Sequence, residues 1–146
     1  LKKRFDYCFK SSNGYPAILK ANIIKKIFSL GKSNEKVNFD TVQVKHGNIK
    51  TTAYVFESAA YISDCNDSSI VNMKIFQNLK YLVIDCLRIK KSPVHFNLDD
   101  ALYVHSCLRP KKTILTNLSS DLNYDFLLKR LPKNVLPAYD GLKLNL

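Results

Sequence analysis

A chain of 146 residues has room for about one domain, and a hydrophobic share of 46% supplies a core and excludes a disordered protein. No apolar run approaches the roughly 20 residues that a membrane helix needs. The net charge is +11, but the lysines are scattered and only Arg88–Lys91 and Arg109–Lys112 form clusters, so a nucleic-acid partner is disfavoured against a composition-wide Lys and Asn bias.

The chain starts at Leu1 rather than Met, which points to a processed product or part of something longer. Its first six residues lack the apolar region of a signal peptide. Residues 1–16 are mixed and end in a turn at Asn13-Gly14-Tyr15-Pro16. Two β-leaning runs follow, Ala17–Ile24 and Ile27–Leu30. After a polar turn at 31–35, the alternation in Val37–Val44 predicts a strand. Lys50–Phe56 and Ala59–Ser63 predict two more, joined as a hairpin at Glu57-Ser58.

The pattern then changes to helix and strand in turn. Ser68–Leu79 carries a near-helical apolar stripe. Tyr81–Ile84 is a continuous apolar run and predicts a buried strand. Asn97 is placed as the N-cap of a helix with Asp99 and Asp100 in its first turn. Thr113–Thr116 predicts a strand, and Ser120 or Asp121 is expected to cap a helix reaching Leu131. Val135–Tyr139, Asp140-Gly141 and Leu142–Leu146 read as a terminal hairpin. The sum is an α/β fold with a mixed sheet.

Four cysteines, Cys8, Cys65, Cys86 and Cys107, make no CxxC pair. They read as small buried hydrophobes in a reducing, cytoplasmic compartment, without support for disulfides or a cysteine zinc site.

Only three histidines are available for chemistry. His105 falls on the apolar face of a predicted helix, where one hydrogen bond satisfies it. His46, at a strand end before Gly47, and His95, just before Asn97, are either surface-loop histidines or functional ones. Asp64 ends an apolar strand as a turn cap or a metal ligand. Asp85 lies where the chain should be buried, and Arg88 is its candidate partner. His46, Asp64, the Asp85–Arg88 segment and Asn117 thus stand at four strand ends that can converge on one sheet edge, with His95 between the last two. Such a set of N and O donors suits a divalent metal.

With these residues in view, the stretch VKHGNIKTTAYVFESAAYISD resembles the second half of the metallo-β-lactamase fold. LVIDCLRIKKSPVHFNLDDAL, TILTNLSSDLNY, PAYDGLKL and the opening LKKRFDYCF resemble its phosphoribosyl cyclic phosphodiesterase branch. The resemblance implies His46 and Asp64 as metal ligands and His95 as the histidine that contacts the scissile phosphate or acts as general acid. It places Asn117 and Ser119 where relatives carry the last imidazole ligand, which this chain lacks.

The superfamily's H-x-H-x-D-H cluster is also missing, so the chain resembles the C-terminal part of an αβ/βα sandwich, a single partial domain over 1–146. The resemblance implies a Zn- or Mn-dependent hydrolase of a cyclic or small phosphodiester, with this chain alone lacking most metal ligands. Asn117, Ser119, Asp85 and Arg88 would contact substrate or support the ligands. The alternative is an inactive truncated or degenerate relative that serves as a binding module. Half a sandwich leaves one apolar sheet face open, so an N-terminal half, a partner chain or a second copy is expected to cover it.

Overall fold

The computed structural model describes residues 2–146. Apolar alternation folds Val37–His46 (β2) and Ile49–Phe56 (β3) into an antiparallel pair, turned by Gly47 at φ 60°. Ile27–Leu30 (β1) adds to the outer edge of β2, and Ala59–Ile62 (β4) pairs antiparallel with β3 across the expected break at Glu57-Ser58. Tyr81–Asp85 (β5), Lys112–Thr116 (β6) and Val135–Pro137 (β7) then extend the sheet in parallel from β4. The spatial order of the seven strands follows the sequence.

Parallel neighbours need crossovers. Leu98–Leu108 (α2) connects β5 to β6, and Tyr124–Arg130 (α3) connects β6 to β7. A short helix, Asp6–Phe9 (α1), precedes the sheet. Asn97 caps α2 as expected, its side chain accepting from Asp100 N–H while the Asp100 carboxylate accepts from Asn97 N–H.

The helices pack on one face of the sheet, where Val44, Ala53, Ala60, Ile62, Leu82, Ile84 and Leu115 meet Ala101, Val104 and Leu127 in one core. The other face carries the cross-strand row Tyr54, Tyr61, Val83, Ile114 and Leu136. It also carries an aromatic stack in which Phe39 lies 5.1 Å from Phe28 and 4.9 Å from Phe56. Tyr61 is 39% exposed and Tyr54, Val83 and Leu136 are half-buried, whereas Ile114 is buried, so this apolar face is only partly covered.

Four expectations from the sequence are corrected. Ser68–Leu79 is not an α-helix but two 3₁₀ turns, Ser68–Asn72 and Lys74–Phe76. Ile70, Met73, Phe76 and Leu79 recur every third residue, which aligns on one face only at three residues per turn. Ala17–Ile24 is extended but pairs with no strand, and Ile23 is 94% exposed. Neither Ser120 nor Asp121 caps α3; burial of Leu122 spends Ser119–Leu122 on a turn, and Asn123 accepts from Phe126 N–H instead. Leu142–Leu146 forms no hairpin strand. Pro137 ends β7, and the tail returns until the Asn145 carbonyl accepts from Lys80 Nζ at the start of β5.

The cysteine expectation holds in part. Cys65 and Cys86 are buried, which pushes their thiols up to about 11 and about 12, whereas Cys107 is exposed and Cys8 half-buried. No helix among the described residues is long and apolar enough to cross a membrane.

Candidate metal centre

Two antiparallel steps separate β2 from β4, so β2 runs with β4, β5 and β6, and their carboxyl ends share one sheet edge. There the strand ends deliver His46, Asp64, Asp85 and Asn117, and the loop before α2 adds His95. Candidate ligand atoms of His46, Asp64 and His95 all lie within 4.8 Å of one another, and the three residues are half-buried. The two imidazoles meet edge to face with centroids 4.5 Å apart.

Both rings are oriented from behind. His46 Nδ1 lies 2.6 Å from the Val94 carbonyl, and His95 Nδ1 lies 2.8 Å from Asp85 Oδ2. Both partners are acceptors, so each Nδ1 carries the proton and each Nε2 keeps its lone pair. Imidazoles that bind metals are held in this way. The Asp64 carboxylate accepts from Ser63 Oγ at 2.8 Å and caps no backbone N–H; the turn cap is Asp67, which accepts from Ser69 N–H. Two imidazole nitrogens and one carboxylate, each with a free ligating position, fit a divalent ion such as zinc or manganese.

Asp85 has no exposed surface. Its Oδ2 accepts from Cys65 N–H at 3.1 Å as well as from His95, and its Oδ1 accepts from Asn117 Nδ2 at 3.1 Å. Burial pushes its carboxyl up from the ordinary range, against the opposing pull of these hydrogen bonds. Arg88 is not its partner, a correction to the sequence reading: the Arg88 side chain is exposed, and the Arg88 backbone pairs with Asn97. After β5 the chain runs on, Cys86 N–H donating to the Thr116 carbonyl and Leu87 N–H to the Phe96 carbonyl, while the carboxylate is satisfied by neighbours from three other segments.

Asn117 sits in the left-handed region at φ 62°, a conformation asparagine tolerates, and this turns its amide toward Asp85 and His95. The Ser119 hydroxyl donates to Asp121, whose carboxylate also accepts from Ile89 N–H at 3.2 Å. That pair braces the Leu87–Ile89 loop. His105 lies elsewhere, with Nδ1 2.8 Å from Thr113 Oγ1; burial lowers its pKa against a hydrogen bond with Asn134.

Sequence reasoning missed Asn66. Its Oδ1 accepts from Gly47 N–H at 3.0 Å, and its Nδ2 donates to the Pro93 carbonyl at 2.7 Å. One amide thus ties the loops that carry His46, Asp64 and His95. The only sequence signal was the turn-rich run Asp64-Cys65-Asn66-Asp67, which reads as local capping. Asn66→Ala is expected to lower divalent-metal affinity by about tenfold, as loss of an outer partner does. Calorimetric titration would measure this, and unchanged affinity would show that the loops hold without the amide.

No protein-family model matches the sequence, and no curated protein does. Solved structures do match. A diphosphatase from the PhnP family is 31% identical with a TM-score of 0.79, the alignment covering 99% of this chain and 52% of that one. The metallo-β-lactamase fold protein YhfI from Bacillus subtilis is 15% identical with a TM-score of 0.67, covering 97% of this chain and 61% of that one. The short form of human tRNase Z is 15% identical with a TM-score of 0.51, covering 80% and 46%. The chain therefore spans about half the length of the structures it matches.

Proposed function

We propose that this chain, which has the metallo-β-lactamase fold, supplies the carboxyl-edge side of a metal-dependent site that hydrolyses a small phosphodiester or a diphosphate. The observation that carries the reading is the convergence of His46, Asp64 and His95 within 4.8 Å, with both Nδ1 atoms already engaged. The diphosphatase among the matched structures favours a phosphorus-centred substrate.

In this reading His46 and Asp64 hold the ion. When bound, a divalent cation supplies Lewis-acid polarisation of a phosphoryl group at neutral pH. His95, when protonated at Nε2, donates that proton to the leaving oxygen, while Asp85 accepts from Nδ1 and fixes the ring's aim. Asn117 holds Asp85 in place. Arg88, exposed on the neighbouring loop, adds positive potential that attracts a phosphate. The open sheet face is covered, in the working protein, by the rest of the fold, contributed by further chain, a partner or a second copy.

The test is the longest product of the gene, assayed for bound metal and for release of phosphate from small phosphodiesters and diphosphates. Metal and turnover that both disappear in His46→Ala and Asp64→Ala would support the hydrolase. Absence of stoichiometric metal would sink it and leave a retained fold serving as a binding module.

A further inference from the structure

We infer that the segment 2–26 is a docking site for single-stranded nucleic acid, in which lysines hold the phosphate backbone and Tyr7 and Tyr15 stack on unpaired bases. The site shares no residue with the cluster of His46, Asp64 and His95, and it is independent of the function proposed above.

Charge is spread unevenly along the chain. Residues 2–26 carry seven Lys and Arg against one acid, Asp6, so +6 of the net +11 lies in this short segment. Folding gathers it. Asn13 and Gly14 both take positive φ, 51° and 81°, and close a tight turn in which Ser12 and Tyr15 exchange backbone hydrogen bonds at 3.1 and 2.9 Å. The returning segment is tied to α1, because the Cys8 carbonyl accepts from Ile18 N–H at 3.1 Å and from Leu19 N–H at 2.8 Å. Lys2, Lys3, Lys10 and Lys20 thereby line one hollow of about 760 Å³, with Phe9 and Ile18 also in its wall. Asp6, the carboxylate in that wall, is already paired with Lys10 at 3.0 Å, and no ion pair among the described residues engages Lys2, Lys3 or Lys20.

A second hollow, of about 390 Å³, adjoins the first and shares Lys10 and Ile18 with it. Tyr7 and Tyr15 stand in its wall and are 69% and 79% exposed. A single strand needs this combination, since its phosphates meet cations while its bases find aromatic faces. A duplex keeps its base faces in the stack, out of reach of the tyrosines. An acidic peptide satisfies the lysines but brings no planar bases to the rings. A bilayer presents a flat surface, whereas the cationic and apolar groups here share the walls of hollows that a flexible strand can follow.

The experiment is fluorescence anisotropy of a labelled oligothymidylate of about 12 nucleotides, within the usual site sizes of single-strand binders. EDTA is present, so that a metal-filled cluster cannot hold the strand. The 146-residue chain and the longest product of its gene are both titrated over a range of salt concentrations. With four lysines on phosphates, the logarithm of the binding constant is expected to fall against log salt with a slope of about −2.8, and the double variant Lys3→Gln with Lys20→Gln to bring that slope to about −1.4. Tyr7→Ala and Tyr15→Ala are each expected to lower affinity by about tenfold at unchanged slope. Both side chains are exposed, and circular dichroism checks that the variants fold. The salt slope of the unmodified chain is read whether or not they do.

No binding at low salt overturns the site. Tyrosine variants that bind as the parent does, or equal competition by polyglutamate, reduce it to a general attraction of polyanions and overturn it as well. Binding to phosphatidylserine vesicles with none to the strand overturns it in favour of a membrane surface. Loss of binding in the longest product overturns it by showing that the rest of the chain covers the hollows. None of these results touches the metal assay on that product, so the two readings stand or fall separately.

Discussion

Asp85→Ala is expected to cost about 3–5 kcal/mol of folding stability, whereas Asp85→Asn is expected to fold and to lose about tenfold in divalent-metal affinity. The alanine removes the acceptor for three donors: Cys65 N–H, His95 Nδ1–H and the Asn117 amide. A buried donor left without a partner costs about 1–3 kcal/mol, and the Cys65 amide belongs to a fully buried residue that cannot turn to water.

Asparagine behaves differently, because one of its two polar atoms is still an acceptor. Its carbonyl can keep the Oδ2 position and both donors there. Its amide then faces Asn117, which must rotate its own amide by half a turn to present oxygen. The protein loses the negative charge behind His95, so the imidazole becomes a poorer ligand while its tautomer is kept. Chemical denaturation and Zn²⁺ titration of the two variants separate these outcomes. An alanine variant as stable as the parent would show that Asp85 does not hold the three segments together.

How far the sequence foretold this site depends on the range of the signals. Strand ends are local, so His46, Asp64 and Asp85 were legible from where apolar runs stop. Their convergence followed from strand direction, since carboxyl ends of parallel strands meet on one edge. Asp85 was recognised as a buried carboxylate, but Arg88 was chosen as its partner because it lies close in sequence. The real partners are 20, 10 and 32 residues away along the chain, and no local pattern encodes such separations.

Asn66 escaped for the same reason, since its bonds reach 19 and 27 residues. The stripe at Ser68–Leu79 was a wrong choice of period: three-residue and 3.6-residue repeats diverge slowly over so short a run. The N-cap at Asn97 was legible because its partners lie within three residues.

Phe96→Ala is expected to remove about 3–5 kcal/mol and to leave the chain largely unfolded near 37 °C. The ring is 1% exposed and among the largest fully buried side chains in the core. Domains hold only about 5–15 kcal/mol in total. A sheet with helices on one face and the other only partly covered sits toward the lower end, because it buries less apolar area for its length. The loss also reaches the site.

Phe96 N–H bonds the Cys65 carbonyl at 2.7 Å, its carbonyl accepts from Leu87 N–H at 2.9 Å, and it stands between His95 and the α2 cap Asn97. Packing of this one ring therefore fixes where the His95 loop leaves the core. Phe96→Leu, which keeps most of the apolar volume, is expected to fold but to bind Zn²⁺ more weakly, as the loop regains freedom. Urea unfolding followed by far-ultraviolet circular dichroism, with metal titration of the leucine variant, measures both effects. An alanine variant with an unchanged urea midpoint would mean that the loop is held by its hydrogen bonds alone. Full Zn²⁺ affinity in the leucine variant would mean that the His95 ring is placed by Asp85 and not by the core beneath it.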